Sequence, residues 1–61
     1  DGRVQTNGGS LNLRGLPSTD GAVLAQMPNG AAIRILAEYN DWYSIFYDGL
    51  YGFAERQYIA V

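Results

Sequence analysis

The 61-residue chain contains no cysteine, no histidine and no lysine, and each absence removes a class of chemistry. Lacking cysteine, the chain has no disulfide to staple a domain that, at this length, hides only about 60% of the surface it exposes when unfolded. The same absence is compatible with an oxidising compartment without establishing one. With neither histidine nor lysine there is no ordinary base for a serine nucleophile, no amine for a Schiff base and no P-loop lysine. With neither histidine nor cysteine the usual zinc and transition-metal ligand sets cannot be assembled, which leaves only scattered oxygen donors for a hard cation. The inventory argues against an enzyme, and no cofactor or metal is expected. No apolar run approaches the roughly 20 residues of a membrane span, and Asp1-Gly2-Arg3-Val4 has no signal-peptide pattern. Positive charge is also scarce. Four arginines face six carboxylates, and the net charge of −2 has the wrong sign for holding nucleic acid or an anionic membrane by counterion release.

What is present is apolar and aromatic: 48% apolar residues, with five tyrosines, two phenylalanines and Trp42 expected to supply much of the core. The length fits one small soluble domain, residues 1–61 with its core over about 3–60, expected to be excised from a larger protein. Turn residues punctuate the chain at Asn7-Gly8-Gly9, Pro17-Ser18-Thr19-Asp20-Gly21, Pro28-Asn29-Gly30, Asn40-Asp41 and Asp48-Gly49. The runs between them are too short for helices and read as strands: Arg3 to Thr6, Leu11 to Arg14, Ala22 to Met27, Ala31 to Glu38, Trp42 to Tyr47 and Leu50 to Ala54. The fold class is all-β. Leu11 and Leu13 alternate with Asn12 and Arg14, and Ile33 and Ile35 with Arg34, so each pair presents one apolar face to the core. Gln57-Tyr58-Ile59 is expected to follow a single 3₁₀ turn.

The clearest local signal is a hairpin, Trp42 to Tyr47 and Leu50 to Ala54, around Asp48-Gly49, which suits a type I′ turn. That turn sets Tyr47 opposite Leu50, Ile45 opposite Gly52 and Tyr43 opposite Ala54, on one side of the ribbon. Trp42, Ser44, Phe46, Tyr51 and Phe53 lie on the other. The Ile45 side is expected to face inward because Gly52 leaves room for close packing and Ala54 is small, with Leu50 near the inner side of its edge. The outer side is then unusually apolar and needs a cover at least part of the time.

These residues resemble a known family, the bacterial SH3-like (SH3b) domain, from about Val4 to Ile59. Leu11-Asn12-Leu13-Arg14 with Pro17-Ser18-Thr19 is similar to its opening strand and N-x-R-x-x-P-S loop. Gly30 before Ala31 to Leu36 resembles its alternating strand after a glycine turn. Asn40-Asp41-Trp42-Tyr43, with Ile45, Tyr47, Asp48-Gly49, Gly52-Phe53-Ala54 and Tyr58-Ile59, resembles its N-G-W-x-x-V hairpin and closing G-Y-V, Y-L signature. The resemblance implies an SH3-like, partly open barrel of five to seven short strands with a 3₁₀ turn near the C-terminus. It also implies a non-catalytic module that targets an extracellular, periplasmic or envelope-associated hydrolase to the cell wall by binding a peptidoglycan stem peptide or cross-bridge. Carried over by position, a ligand groove would be lined by Trp42 and Phe53, with Tyr58 and Glu55 on the closing turn, Tyr39 flanking the tryptophan, and the Gly15 to Gly21 loop as its other wall. The chain departs from the family at Leu16, where glycine often precedes the proline, and at Phe46, Leu50 and Tyr51, where polar residues are frequent. Those apolar departures suit a second reading, a docking domain packed on an adjacent catalytic domain or on its own copy through Phe46 and Tyr51.

Several positions have two roles open to them. Trp42 is either a ligand anchor with a free N–H or a core ring whose N–H meets a carbonyl. Phe53 and Tyr58 either line a groove or close a barrel corner. Phe46 with Tyr51 is a contact surface or simply a stabilising cross-strand pair. Glu38 and Asp41 suggest a carboxylate pair or a calcium site, against which stands an ordinary solvated loop. Gly8-Gly9 reads as a turn rather than a phosphate cradle, since no helix or lysine accompanies it. Arg14 is either an ion-pair partner of Asp20 or Glu55 or a clamp for a ligand carboxylate. Polyproline recognition is disfavoured by the lone acid, Asp20, between Pro17 and Ala22, and single-stranded nucleic acid by the lack of a positive groove.

Overall fold

The computed structural model describes every residue from Asp1 to Val61. The turns cut the chain into seven strands: β1 (Gly2–Val4), β2 (Leu11–Arg14), β3 (Val23–Met27), β4 (Ala32–Tyr39), β5 (Trp42–Tyr47), β6 (Leu50–Glu55) and β7 (Ile59–Ala60), with a 3₁₀ turn, Arg56–Tyr58, between the last two. Every pairing is antiparallel, in the order β3-β2-β6-β5-β4-β1-β7, and the sheet curls on itself without closing. The all-β class is as the turns and short runs imply, and the partly open form is as the family resemblance implies.

The hairpin forms in the expected register, with Tyr47 opposite Leu50, Ile45 opposite Gly52 and Tyr43 opposite Ala54. Asp48 (φ 51°) and Gly49 (φ 80°) both occupy the left-handed region that a type I′ turn requires. Gly52 is the point of closest approach between β6 and β2. A Cβ there would sit 2.7 Å from the Arg14 carbonyl oxygen and 2.8 Å from a Leu13 methyl carbon. The ribbon can therefore lie flat on Leu13, and Ile45, Ala54 and Leu13 are all completely buried.

The core is aliphatic, which corrects the expectation placed on the aromatics. Val4, Leu11, Leu13, Met27, Ile33, Ile45 and Ala54 are its buried apolar residues, and of the aromatics only Tyr43 and Tyr47, half-buried, pack against them. The interior of a domain with a radius of gyration of 9.9 Å is filled by branched and small side chains, and larger rings are carried to the rim or outer face.

Further details refine the reading of the strands. The first strand runs Gly2–Val4, not Arg3 to Thr6, because Val4 O accepts from Gly30 N (2.7 Å) and Thr6 N then turns to Asn29 Oδ1 (2.9 Å), leaving the ladder. Gln57 and Tyr58 belong to the 3₁₀ turn itself, and Ile59 begins β7 against Val4. Leu50 pairs with Tyr47 on the inner side, as the register places it, yet beside the turn it is 39% exposed. In β4 the alternation breaks at Leu36, because Ile35 pairs with Ile45 and Ala37 with Ser44. Leu36, which is exposed, is the extra residue of a bulge, and the parity of the strand inverts beyond it. That inversion puts Tyr39 on the Trp42 face and Glu38 on the Tyr43 face.

Candidate functional site

The largest concavity, about 660 Å³, opens at one end of the sheet, at Trp42. Its first wall is Pro17, Ser18 and Thr19 from the β2–β3 loop, and its second is Asp41 and Trp42 at the start of β5. Glu55, Arg56 and Gln57, where β6 runs into the 3₁₀ turn, complete it. Each wall is held by short-range bonding. In the loop, Gly15 N donates to Ala22 O (2.9 Å), Gly21 N to Ser18 O (3.0 Å) and Asp20 N to Ser18 Oγ (3.1 Å). Opposite, Asn40 takes φ 53°, a conformation Asn tolerates, and Arg56 N donates to Asp41 O (2.8 Å), tying the β4–β5 turn to the closing turn.

Trp42 stands directly across from Glu55 in the ladder and is half-buried. Its indole N–H bonds to no group of the chain, and no buried side-chain nitrogen or oxygen lacks a partner, so the N–H lies open to solvent or a ligand. Of the two roles open to Trp42, the core ring bonded to a carbonyl is not the one adopted. Trp42 is the only aromatic in a groove whose other lining residues, apart from Pro17, are polar or charged.

The remaining expected positions separate. Glu55 lines the groove beside Trp42 and also borders a second cleft of about 370 Å³, which contains Tyr58 together with Arg14 and the segment around Thr6 to Asn12. Phe53 and Tyr39 share the sheet face of Trp42 but lie outside the groove lining, packed edge-to-face with ring centroids 5.7 Å apart. Further along that face Phe46 and Tyr51 stack obliquely at 4.8 Å, and Tyr51 is 71% exposed.

Arg14 forms no ion pair with Asp20 or Glu55. Its Nη1 instead donates to the carbonyl oxygens of Thr19 and Gly21, both at 3.0 Å, because the loop folds its backbone back over the end of β2. Arg14 thereby fixes the first wall. Glu38 is likewise more than a solvated loop acid, since it pairs with Arg56. Arg56 Nη1 also donates to Asn40 O (3.2 Å), and the guanidinium lies 5.9 Å from the Tyr43 ring centre. No three carboxylates converge as a cation site would require. The sequence pattern gave no sign of Arg56 or Gln57, because the Glu38–Arg56 pair joins positions 18 residues apart through a bulge that inverts parity.

Charged groups of both signs surround the groove. Asp41 and Glu55 contribute two negative charges to its lining, and the positive charge of Arg56 is offset by Glu38. Glu55 accepts one hydrogen bond, from Gln57 Nε2 at 3.3 Å, whereas the Asp41 carboxylate is exposed and unpaired.

Residues 9–60 match the family model of the bacterial SH3 domain, a span that contains all three sequence blocks bearing the resemblance. No curated protein matches the chain.

Proposed function

The chain belongs to the bacterial SH3 domain family, whose members are commonly binding or targeting modules, and on that footing we propose that it is a non-catalytic module that binds cell-wall peptide. In this reading it holds a secreted or envelope-associated hydrolase on peptidoglycan by its stem peptides or cross-bridges. The observation that carries the reading is the groove at Trp42: one half-buried aromatic with a free N–H, set in polar walls that are fixed before any ligand arrives. Its volume is within the range of about 300 to 1,000 Å³ typical of ligand sites. An extended peptide is thin enough to enter such a cleft, stack on the indole and exchange backbone hydrogen bonds with the walls. Contacts of this kind are individually modest, so one module binds weakly and gains strength by being linked to an enzyme that binds the same polymer.

Titration of the chain with purified muropeptides, followed by amide and indole N–H chemical shifts, tests the proposal. Shifts concentrated at Trp42, Glu55 and the Pro17–Thr19 loop are expected, with smaller ones at Phe53, Tyr39 and Tyr58. No response there at millimolar ligand would end it.

A second reading has its own observation, the exposure of Tyr51 beside Phe46 on the outer sheet face. There the domain docks on a neighbouring catalytic domain or on its own copy, and the two surfaces need not compete, since the Phe46–Tyr51 pair lies outside the groove. Sedimentation separates them: a chain that stays monomeric at millimolar concentration, unchanged by Phe46→Ser, rules out self-association.

A further inference from the structure

We infer that Asp41 and Glu55 make the Trp42 groove selective for a peptide bearing a free primary ammonium, and that it discriminates against the same peptide once that amine is acylated. The inference rests on the groove reading above and adds the charge class of its ligand.

Asp41 immediately precedes Trp42, and Glu55 faces it across the ladder, so carboxylates flank the indole along the strand and across it. The only cation in the lining, Arg56, is already engaged by Glu38 and by the Asn40 carbonyl. Arg14, behind the loop wall, has its Nη1 committed to two loop carbonyls. A ligand carboxylate entering beside Trp42 therefore meets two like charges, and the one guanidinium in the lining already has Glu38 as its counter-charge. An ammonium meets the opposite: the unpaired Asp41, the lightly bonded Glu55, and an indole, the aromatic ring that attracts cations most strongly. No third carboxylate joins them, so the arrangement suits a cationic group on an organic ligand rather than a bare metal ion.

The chemical consequence concerns cross-linking. An amide-linked bridge forms when an amine is acylated, and the product is neutral at that nitrogen. A groove that attracts the ammonium prefers peptide whose amine has not been linked and releases it once it has. Two amines have this chemistry, a side-chain ω-amine and the α-amine of a glycine-rich arm, and the experiment separates them.

The 61-residue chain is titrated by NMR, at low ionic strength, with two matched pairs. One pair is acetyl-Ala-Lys-Ala-Ala-amide and its Nε-acetyl-lysine form, and the other is pentaglycine amide and its N-acetyl form. All four lack a free carboxylate. In at least one pair the free amine is expected to bind about threefold to tenfold more tightly, the scale of one or two partly exposed ion pairs. Raising sodium chloride to about 0.3 M should shrink that ratio towards one by screening. In the D41N/E55Q variant, with folding checked by unchanged Leu13 and Ile45 methyl shifts, the ratio should fall towards one at low salt also. Which pair discriminates identifies the amine. If the members of both pairs bind equally, or the acylated ones bind better, the charge inference is overturned while the groove reading survives. If no peptide and no muropeptide shifts Trp42, the groove reading falls and takes the inference with it.

Discussion

The two faces of the Trp42–Glu55 hairpin are built from the same kinds of residue and have opposite fates. One carries Tyr43, Ile45, Tyr47, Gly52 and Ala54 and closes the core, while the other carries Trp42, Phe46, Tyr51 and Phe53 and stays at the surface. Apolar content alone does not separate them. At the centre of the hairpin the partners across the ladder differ: Ile45 meets Gly52 and can sink onto Leu13, whereas Phe46 meets Tyr51 and the two rings pack on each other at the surface. Small residues opposite a branched one mark the interior of this barrel.

The largest test of that contrast is Ile45→Ala. Removing a completely buried side chain should cost about 2 to 5 kcal/mol, close to the whole stability that a core of this size supplies. Urea denaturation should show the variant largely unfolded in water. Gly52→Ala probes the same contact from the other strand. The new methyl would lie 2.7 Å from the Arg14 carbonyl, so a loss of about 1 to 3 kcal/mol is expected, although alanine is the better strand residue elsewhere. A variant as stable as the parent would mean that β2 and β6 can part without cost, and the contrast between the faces would lose its cause. Next in size is Arg14→Met, which keeps the stem and deletes the two bonds to Thr19 and Gly21. About 1.5 kcal/mol should be lost, together with amide protection in the Pro17–Thr19 wall, read by hydrogen exchange. On the outer face, Phe46→Ser should cost only about 0.2 to 1 kcal/mol, the worth of a cross-strand aromatic pair, in the same denaturation experiment. A cost equal to that of Ile45→Ala would show that the outer rings form a second core.

The sequence made the hairpin legible down to its register, because Asp48-Gly49 dictates a two-residue turn and the period of two then assigns every side chain. Trp42 and the Gly15 to Gly21 loop, far apart in the chain, were brought to one groove only by the family resemblance. What the sequence hid has a common cause. The bulge at Leu36 breaks the period without any glycine or proline to announce it, and so the placement of Glu38 and Tyr39 could not be counted from Ile33. Arg14 offered two charged partners by proximity of type, but two carbonyls of the loop backbone, those of Thr19 and Gly21, receive it instead of either acid. The aromatic core was expected from composition, which counts rings without asking whether so small an interior admits them.

Arg56, the residue that gave no signal in the sequence, supplies the smallest and sharpest prediction. Its pair with Glu38 is half-exposed on both sides, 50% and 53% by side chain, so Arg56→Met should change stability by less than about 1 kcal/mol. For a domain of this size that is a shift of a few degrees in melting temperature. Its effect on the groove is separable, because the variant keeps the backbone bond from residue 56 to Asp41 O and loses only the guanidinium. Glu38 is then uncompensated, and the charge of the Glu38, Asp41, Glu55 and residue-56 group goes from −2 to −3. The preference for a free-amine peptide over its acetylated form should rise, by about twofold at low salt, and the gain should vanish in about 0.3 M sodium chloride. If the two peptides instead weaken together at both salt concentrations, the guanidinium serves to hold the Asn40 turn in place. The difference between the faces would then owe more to the stiffness of the outer rim than to its charge.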